Sequence, residues 1–293
     1  MTLRLTSAVL LLVLAVSGNA WAQGRGRGLG RGPRADVPAT TTRGSQTSTT
    51  PALQPSPSFP QFGTWLDDAT TAAPGAGFGS IGVSYWRGSG ADQIDAPILG
   101  VTYGIASRTH VSATVPFYRA TYEGFSGSGL DNVYVSAKFA AVNPDAGQGR
   151  FGLAVGVVTE ILSAGFADAS RVHWAVPVSV EFRTTAVRLY GSTGYFSRGA
   201  VFAAGAFEWT MPTGTSLTTS LSHSASVHGV TIATSTRVPR ASLRDLSISV
   251  SQPVSRIASV YIGGSRTFSE TWIDGASAVS GGLSFRFTRL PDP

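Results

Sequence analysis

From Gly77 onward the chain alternates apolar with small polar side chains, in runs of about 10–13 residues separated by Gly, Pro, Asn, Asp and Ser clusters. Period-two alternation means strands, because successive side chains on a strand point to opposite faces. Val133, Val135, Ala137 and Phe139 share one face, and Tyr134, Ser136 and Lys138 the other. Trp174, Val176, Val178, Val180 and Phe182 alternate with Ala175, Pro177, Ser179, Glu181 and Arg183. Near the end, Val279, Leu283, Phe285 and Phe287 oppose Ser280, Ser284 and Arg286.

Alternation alone fits two architectures. A soluble sandwich packs its apolar faces into a dry core, whereas a membrane barrel turns them to lipid and lines its lumen with the polar face. Run length separates the two: a tilted membrane strand needs roughly 9–11 residues, while soluble strands have a mode near 5–6. The sequence therefore predicts an all-β fold, an antiparallel transmembrane β-barrel of about 12 strands with a disordered N-terminal arm. The predicted segments are 77–88, 96–105, 108–118, 129–140, 149–160, 173–183, 187–197, 200–211, 214–225, 242–252, 256–268 and 276–288. An even count puts both chain ends on one side; short connections face the periplasm, and longer ones, at 119–128, 161–172 and 226–241, face outward.

The N-terminus explains how such a chain reaches an outer membrane. MTLR is a basic start, LTSAVLLLVLAVSG an apolar run, and Ala20-Trp21-Ala22 a small-residue cleavage site, so residues 1–22 read as a signal peptide. The apolar run falls short of the roughly 20 residues that a spanning helix needs. With no cysteine in the chain, cohesion has to come from something other than disulfides, and a closed ring of strand hydrogen bonds supplies it.

Residues 23–60 run from GRGRGLGRGPR through a Thr/Ser stretch to PALQPSPSFP, too poor in apolar side chains to repay the entropy of folding. The net charge of +6 is concentrated there: Arg25, Arg27, Arg31, Arg34 and Arg43 against Asp36 leave the rest nearly neutral. No basic face remains on the barrel, so nucleic acid is excluded as its partner; the arm itself suits contact with anionic envelope polymers. Residues 61–76, QFGTWLDDATTAAPGA, carry an aromatic-acidic knot in which Trp65 and Leu66 precede Asp67 and Asp68. This stretch is either a periplasmic lead-in or a small plug in the barrel mouth. Residues 77–288 are the barrel and 289–293 a tail.

Charged side chains on strands cost roughly 2–4 kcal/mol at the lipid-facing midplane for Arg or Lys, so they belong inside. That argument makes His110, Lys138, His173, Glu181, Arg183, Glu208 and Arg286 the candidate lumen-lining residues. They either pair across the lumen as filling or set what passes through it. Gly100, Thr102, Ser112, Thr114, Ser136 and Ser179 point the same way and favour an unclogged interior. Trp86, Tyr118, Tyr122, Trp174, Tyr195, Trp209 and Trp272 fall near strand ends as candidate interface aromatics.

No enzyme chemistry stands out. The histidines at 110, 173, 223 and 228 have no metal-ligand spacing, and abundant serine makes chance Ser-His pairings cheap. GFSGSGLD at 124–131 lacks the Lys-Ser/Thr ending of a phosphate loop. The sequence assigns no catalytic residue, cofactor or metal.

YGIASRTHVSATVPF at 103–117 and GLDNVYVSAKF at 129–139, together with RLYGSTGYFSRGA and the closing SGGLSFRF, resemble the outer-membrane barrel family named after the meta-pathway of phenol degradation. The resemblance covers residues 77–288. It implies passive passage of small, apolar or aromatic solutes through a barrel placed by the envelope's insertion machinery, and it carries no site residues. Proteins of this class end on an aromatic residue; here TRLPDP follows Phe287. The competing reading is a structural barrel that displays its outer loops without transport.

Overall fold

The computed structural model describes residues 66–88, 91–122, 125–144, 150–161, 172–197, 199–227, 230–232, 236–238, 242–269 and 276–288. The leader, the arm, residues 61–65 and the tail lie outside the described residues, as do His228, Trp272 and most of the 161–172 loop.

In chain order the strands are β1 Ala76–Gly88, β2 Ala91–Ala106, β3 Thr109–Tyr122, β4 Phe125–Leu130, β5 Val133–Val142, β6 Phe151–Ile161, β7 Val172–Arg183 and β8 Val187–Phe196. They continue as β9 Ala200–Thr210, β10 Ser216–Ser226, β11 Val230–Ile232, β12 Thr236–Val238, β13 Ser242–Pro253, β14 Ala258–Ser269 and β15 Ser277–Thr288. All but β4, β11 and β12 close a twelve-strand antiparallel ring, because β1 pairs with both β2 and β15 while β3 joins β2 to β5. Ala76 faces Thr288 across the closing seam, so both ends of the barrel lie on the side of the short turns, the periplasmic side.

The ring is inside-out relative to a soluble fold. Val83, Leu99, Val178, Phe207, Ile248 and Leu283 point outward and are exposed, while Ser84, Ser179, Ser220, Ser247 and Ser284 point inward and are buried. The sandwich alternative required those apolar side chains to pack together, and they do not. An apolar exterior with each of the twelve ring strands paired to two neighbours is what hydrocarbon demands, since an unpaired backbone amide there costs several kcal/mol.

Three details differ from the sequence reading. First, β2 begins at Ala91 rather than near 96 and carries register shifts at Asp95/Ile98 and Gly104/Ala106. Second, the predicted outer loop at 119–128 is mostly strand. β5 pairs with β3 only from Thr109 to Thr114, and β4 folds back to pair with Phe117–Tyr122. The short β4 thus satisfies an edge that would otherwise be open. Its sequence, FSGSGL, has no apolar face to announce a strand, so pairing alone makes it one. Third, Trp86 and Tyr118 share strand faces with Ser84 and Thr114 and turn inward, which removes them from the interface aromatics. Trp174, Tyr195 and Trp209 do face outward. Trp174 and Tyr195 meet at 6.0 Å between ring centroids at the outer end, and Trp209 sits at the periplasmic end.

Candidate functional site

The barrel interior is dominated by an ionic layer built around residues 66–75, which precede β1 and run inside the ring. Leu66 packs against Tyr190 on β8 and Ala206 on β9. The Asp67 amide donates to Ser192 Oγ at 3.1 Å, and Ser179 Oγ donates to Asp67 Oδ2 at 3.2 Å. Lys138 Nζ donates to Asp67 Oδ1 at 2.6 Å, to Asp68 Oδ1 at 3.3 Å and to the Asp68 carbonyl at 2.9 Å.

Arg188, on β8 three strands further round the same wall, is a second hub. Its Nη2 donates to Asp68 Oδ2 at 2.5 Å, its Nε to Glu181 Oε1 at 2.7 Å and its Nη1 to Glu208 Oε2 at 3.1 Å. Arg183 Nη2 joins Glu181 Oε1 at 2.7 Å and Thr70 Oγ1 at 3.0 Å, and Thr70 Oγ1 donates to Glu181 Oε2 at 2.8 Å. Nearer the periplasmic end, His110 Nδ1 accepts from the Ala72 amide at 3.2 Å, so its ring is neutral with the proton on Nε2.

Lys138, Arg188, Glu181 and Asp68 are almost wholly buried. Charges this far from water are tolerated because each meets opposite charge with good hydrogen-bond geometry; removing one partner of such a pair typically costs about 3–5 kcal/mol. The wall supplies Lys138, Arg183 and Arg188 against Glu181 and Glu208, and residues 66–75 bring the two further carboxylates.

Glycines allow the backbone of this stretch to lie against the wall. A Cβ at Gly104 would fall 2.0 Å from the Ala73 carbonyl oxygen, and one at Gly152 2.9 Å from the Ala69 Cβ. Gly75 itself takes φ 75°, a left-handed turn that feeds β1, and its amide donates to the Gly104 carbonyl at 2.9 Å.

Five of the predicted lumen residues, His110, Lys138, Glu181, Arg183 and Glu208, meet in this layer. Two do not. His173 lies higher, opposite Glu160 in register and 6.0 Å from the Phe196 ring, and the Arg286 guanidinium lies 5.9 Å from the Phe78 ring, on β1 near the periplasmic mouth. Sequence reasoning missed Arg188, although its alternation with the outward Leu189 marks it as inward. It noticed Asp67 and Asp68 without seeing what they bind.

Above the ionic layer, Tyr134, Val158, Ala175, Phe196, Ala200 and Phe202 form an apolar cluster inside the ring. Beside it, Glu160 Oε1 accepts from Asn132 Nδ2 at 2.9 Å and from Tyr134 OH at 3.0 Å. The opposite wall, from β10 through β13–β15 to β1, is mostly hydroxyl: Ser220 and Ser247 join at 2.7 Å, and Ser222 reaches Asp245 at 3.3 Å. The interior is thus charged and aromatic on one side and hydroxyl-lined on the other. Among the described residues no group of three or more His, Cys, Asp or Glu could hold a metal ion.

A closed ring of twelve antiparallel strands, apolar outside and polar within, defines a transmembrane β-barrel of the outer-membrane type. Solved structures with the same architecture include the COG4313 outer membrane channel from Pseudomonas putida F1, with a TM-score of 0.59 and 13% identity over 75% of this chain and 98% of that one. The NanC porin aligns with a TM-score of 0.51 and 12% identity over 71% of this chain and 98% of that one. No protein-family model matches the sequence, and no curated protein matches it.

Proposed function

We propose that the chain is a passive channel for small solutes, in which residues 66–75 act as a plug and the lumen residues His110, Lys138, Glu181, Arg183 and Glu208 select what passes. The observation that carries this reading is the ionic layer. A barrel that only displayed loops could fill its interior with apolar side chains, at no desolvation cost; here buried charges are matched by a stretch that belongs to no strand. A plug held by hydrogen bonds and ion pairs can exchange them for water, whereas a packed apolar core cannot.

The family resemblance supports solutes with apolar or aromatic bodies; Tyr134, Phe196 and Phe202 pack together inside the ring above the plug. The stretches 103–117 and 129–139 support kinship with the barrel family named after the meta-pathway of phenol degradation. Nothing in this mechanism uses bond chemistry, so the protein is read as a non-enzyme.

Single-channel recording in planar bilayers tests it. Intact protein is expected to show low or intermittent conductance, and a variant lacking residues 66–75 a larger, steady one. Equal, negligible current from both, with no gain in solute uptake by liposomes carrying the deletion variant, would refute a solute path.

A further inference from the structure

The sequence leaves no basic face on the barrel, yet four arginines gather on its outward face toward the outer rim. Arg87 on β1, Arg119 on β3, Arg244 on β13 and Arg266 on β14 all lie on the lipid-facing side of their strands, in step with Tyr85, Phe117, Leu246 and Phe268. All four are exposed and all lie toward the outer ends of strands that are contiguous round the ring, β3-β2-β1-β15-β14-β13. On the outward faces of these six strands, Asp92 is the one acidic side chain among the described residues.

Two of these arginines flank a single position. Ser277 on β15 is the register partner of both Arg87 and Arg266, so the two are separated by one strand, about 10 Å at the usual strand spacing. Arg266 Nη1 donates to Ser277 Oγ at 2.9 Å, which aims the guanidinium along the row toward Arg87. Arg87 Nε lies 3.5 Å from Asp92 Oδ1, an oxygen that also accepts from Tyr85 OH at 2.7 Å. His223 and Phe268 flank Arg244 in the next outward row.

Height gives the arc its meaning. Arg87 lies 11 residues along β1 from Ala76 at the periplasmic end, which at the usual rise and tilt is roughly 25–30 Å, about the height of a barrel's apolar band. It is one outward position beyond Tyr85, an aromatic of the kind that marks the membrane interface. The arc therefore meets the headgroups of the outer leaflet, where a planar guanidinium pairs bidentately with phosphate.

We propose that Arg87 and Arg266, extended by Arg119 and Arg244, form a binding site for the phosphate groups of a phosphorylated glycolipid in the outer leaflet. The site is on the lipid side of the wall and does not depend on whether the lumen conducts. The lipid's phosphates add anionic partners to an arc in which Asp92 is the one acidic outward side chain among the described residues, and its acyl chains lie along the apolar strand faces below.

The test uses the full-length protein, extracted in detergent, stripped of lipid and checked by heat-dependent gel migration. Binding of bis-phosphorylated lipid A is followed by native mass spectrometry and by titration into nanodiscs. The intact protein is expected to bind it, to bind the dephosphorylated lipid weakly, and not to lose lipid A to millimolar inorganic pyrophosphate. Arg87→Gln/Arg266→Gln should weaken lipid A binding by about thirtyfold, Arg87→Lys/Arg266→Lys by less, and Arg256→Gln, in a periplasmic turn, should leave it unchanged. Equal binding of phosphorylated and dephosphorylated lipid by the intact protein would overturn the proposal even if the glutamine variant failed to fold. So would full displacement by pyrophosphate, which would mark a general anion site, or unchanged affinity in a folded glutamine variant.

Discussion

The ammonium of Lys138, projecting inward from β5, lies 2.6 Å from a carboxylate oxygen of Asp67, a residue that precedes the first strand altogether. This pair ties the approach to the barrel to its wall at a buried position, and Asp68 repeats the tie to Arg188, three strands further round the same wall. What happens when it is broken follows from the cost of leaving charge unpaired away from water.

Lys138→Met leaves Asp67 without its cation, and residues 66–75 should dock more weakly by about 3–5 kcal/mol. Hydrogen exchange at the Thr70 and Ala72 amides should speed up, and channel open time should lengthen. Adding Asp67→Asn should recover part of the loss, because the second change removes the orphaned charge.

Gly104→Val acts on the same docking by shape alone. The new side chain would fall on the Ala72 and Ala73 carbonyls, backbone atoms that can move only if the whole stretch moves. Protease cleavage within 66–75 should become faster than in the intact protein. Gly205→Ala, whose Cβ would have ordinary contact at 4.0 Å, should change nothing measurable.

Val178→Arg places a guanidinium outward near the middle of β7, where Val178 faces lipid. Reversible unfolding in lipid vesicles should show a loss of roughly 2–4 kcal/mol. A loss below about 0.5 kcal/mol would mean that this face is not against hydrocarbon.

The β1–β15 seam makes the barrel a ring, and rings of this kind resist detergent until heated. The detergent-extracted protein should run as a compact band on gels without boiling and shift on boiling. Truncation before Ser277 removes β15 and leaves β1 and β14 with open edges, so the heat-dependent band should vanish.

Much of the architecture was written locally. Each barrel strand announces itself by period two, and the run Trp174–Phe182 alone distinguishes an outward from an inward face. His110, Lys138, Glu181, Arg183 and Glu208 were legible as inward because a charge on the lipid face is too costly, a rule that needs only the alternation. β4 was not legible, since FSGSGL becomes a strand only through the uncovered edge of β3.

What the sequence by itself determined is the membrane barrel and the inward direction of His110, Lys138, Glu181, Arg183 and Glu208, because strand period and the cost of burying charge in hydrocarbon are both properties of a segment and its solvent; Arg87, Arg119, Arg244 and Arg266 face outward near the outer rim, where that cost fades. Only the tertiary structure decided which charges meet. Asp68 and Arg188 are 120 residues apart, and no local pattern links them. Ring closure brings β5, β7, β8 and β9 round a common interior, and the approach to β1 then finds Lys138 and Arg188 there. The choice between periplasmic lead-in and plug therefore turns on contacts made across the ring, which a strand-by-strand reading does not contain.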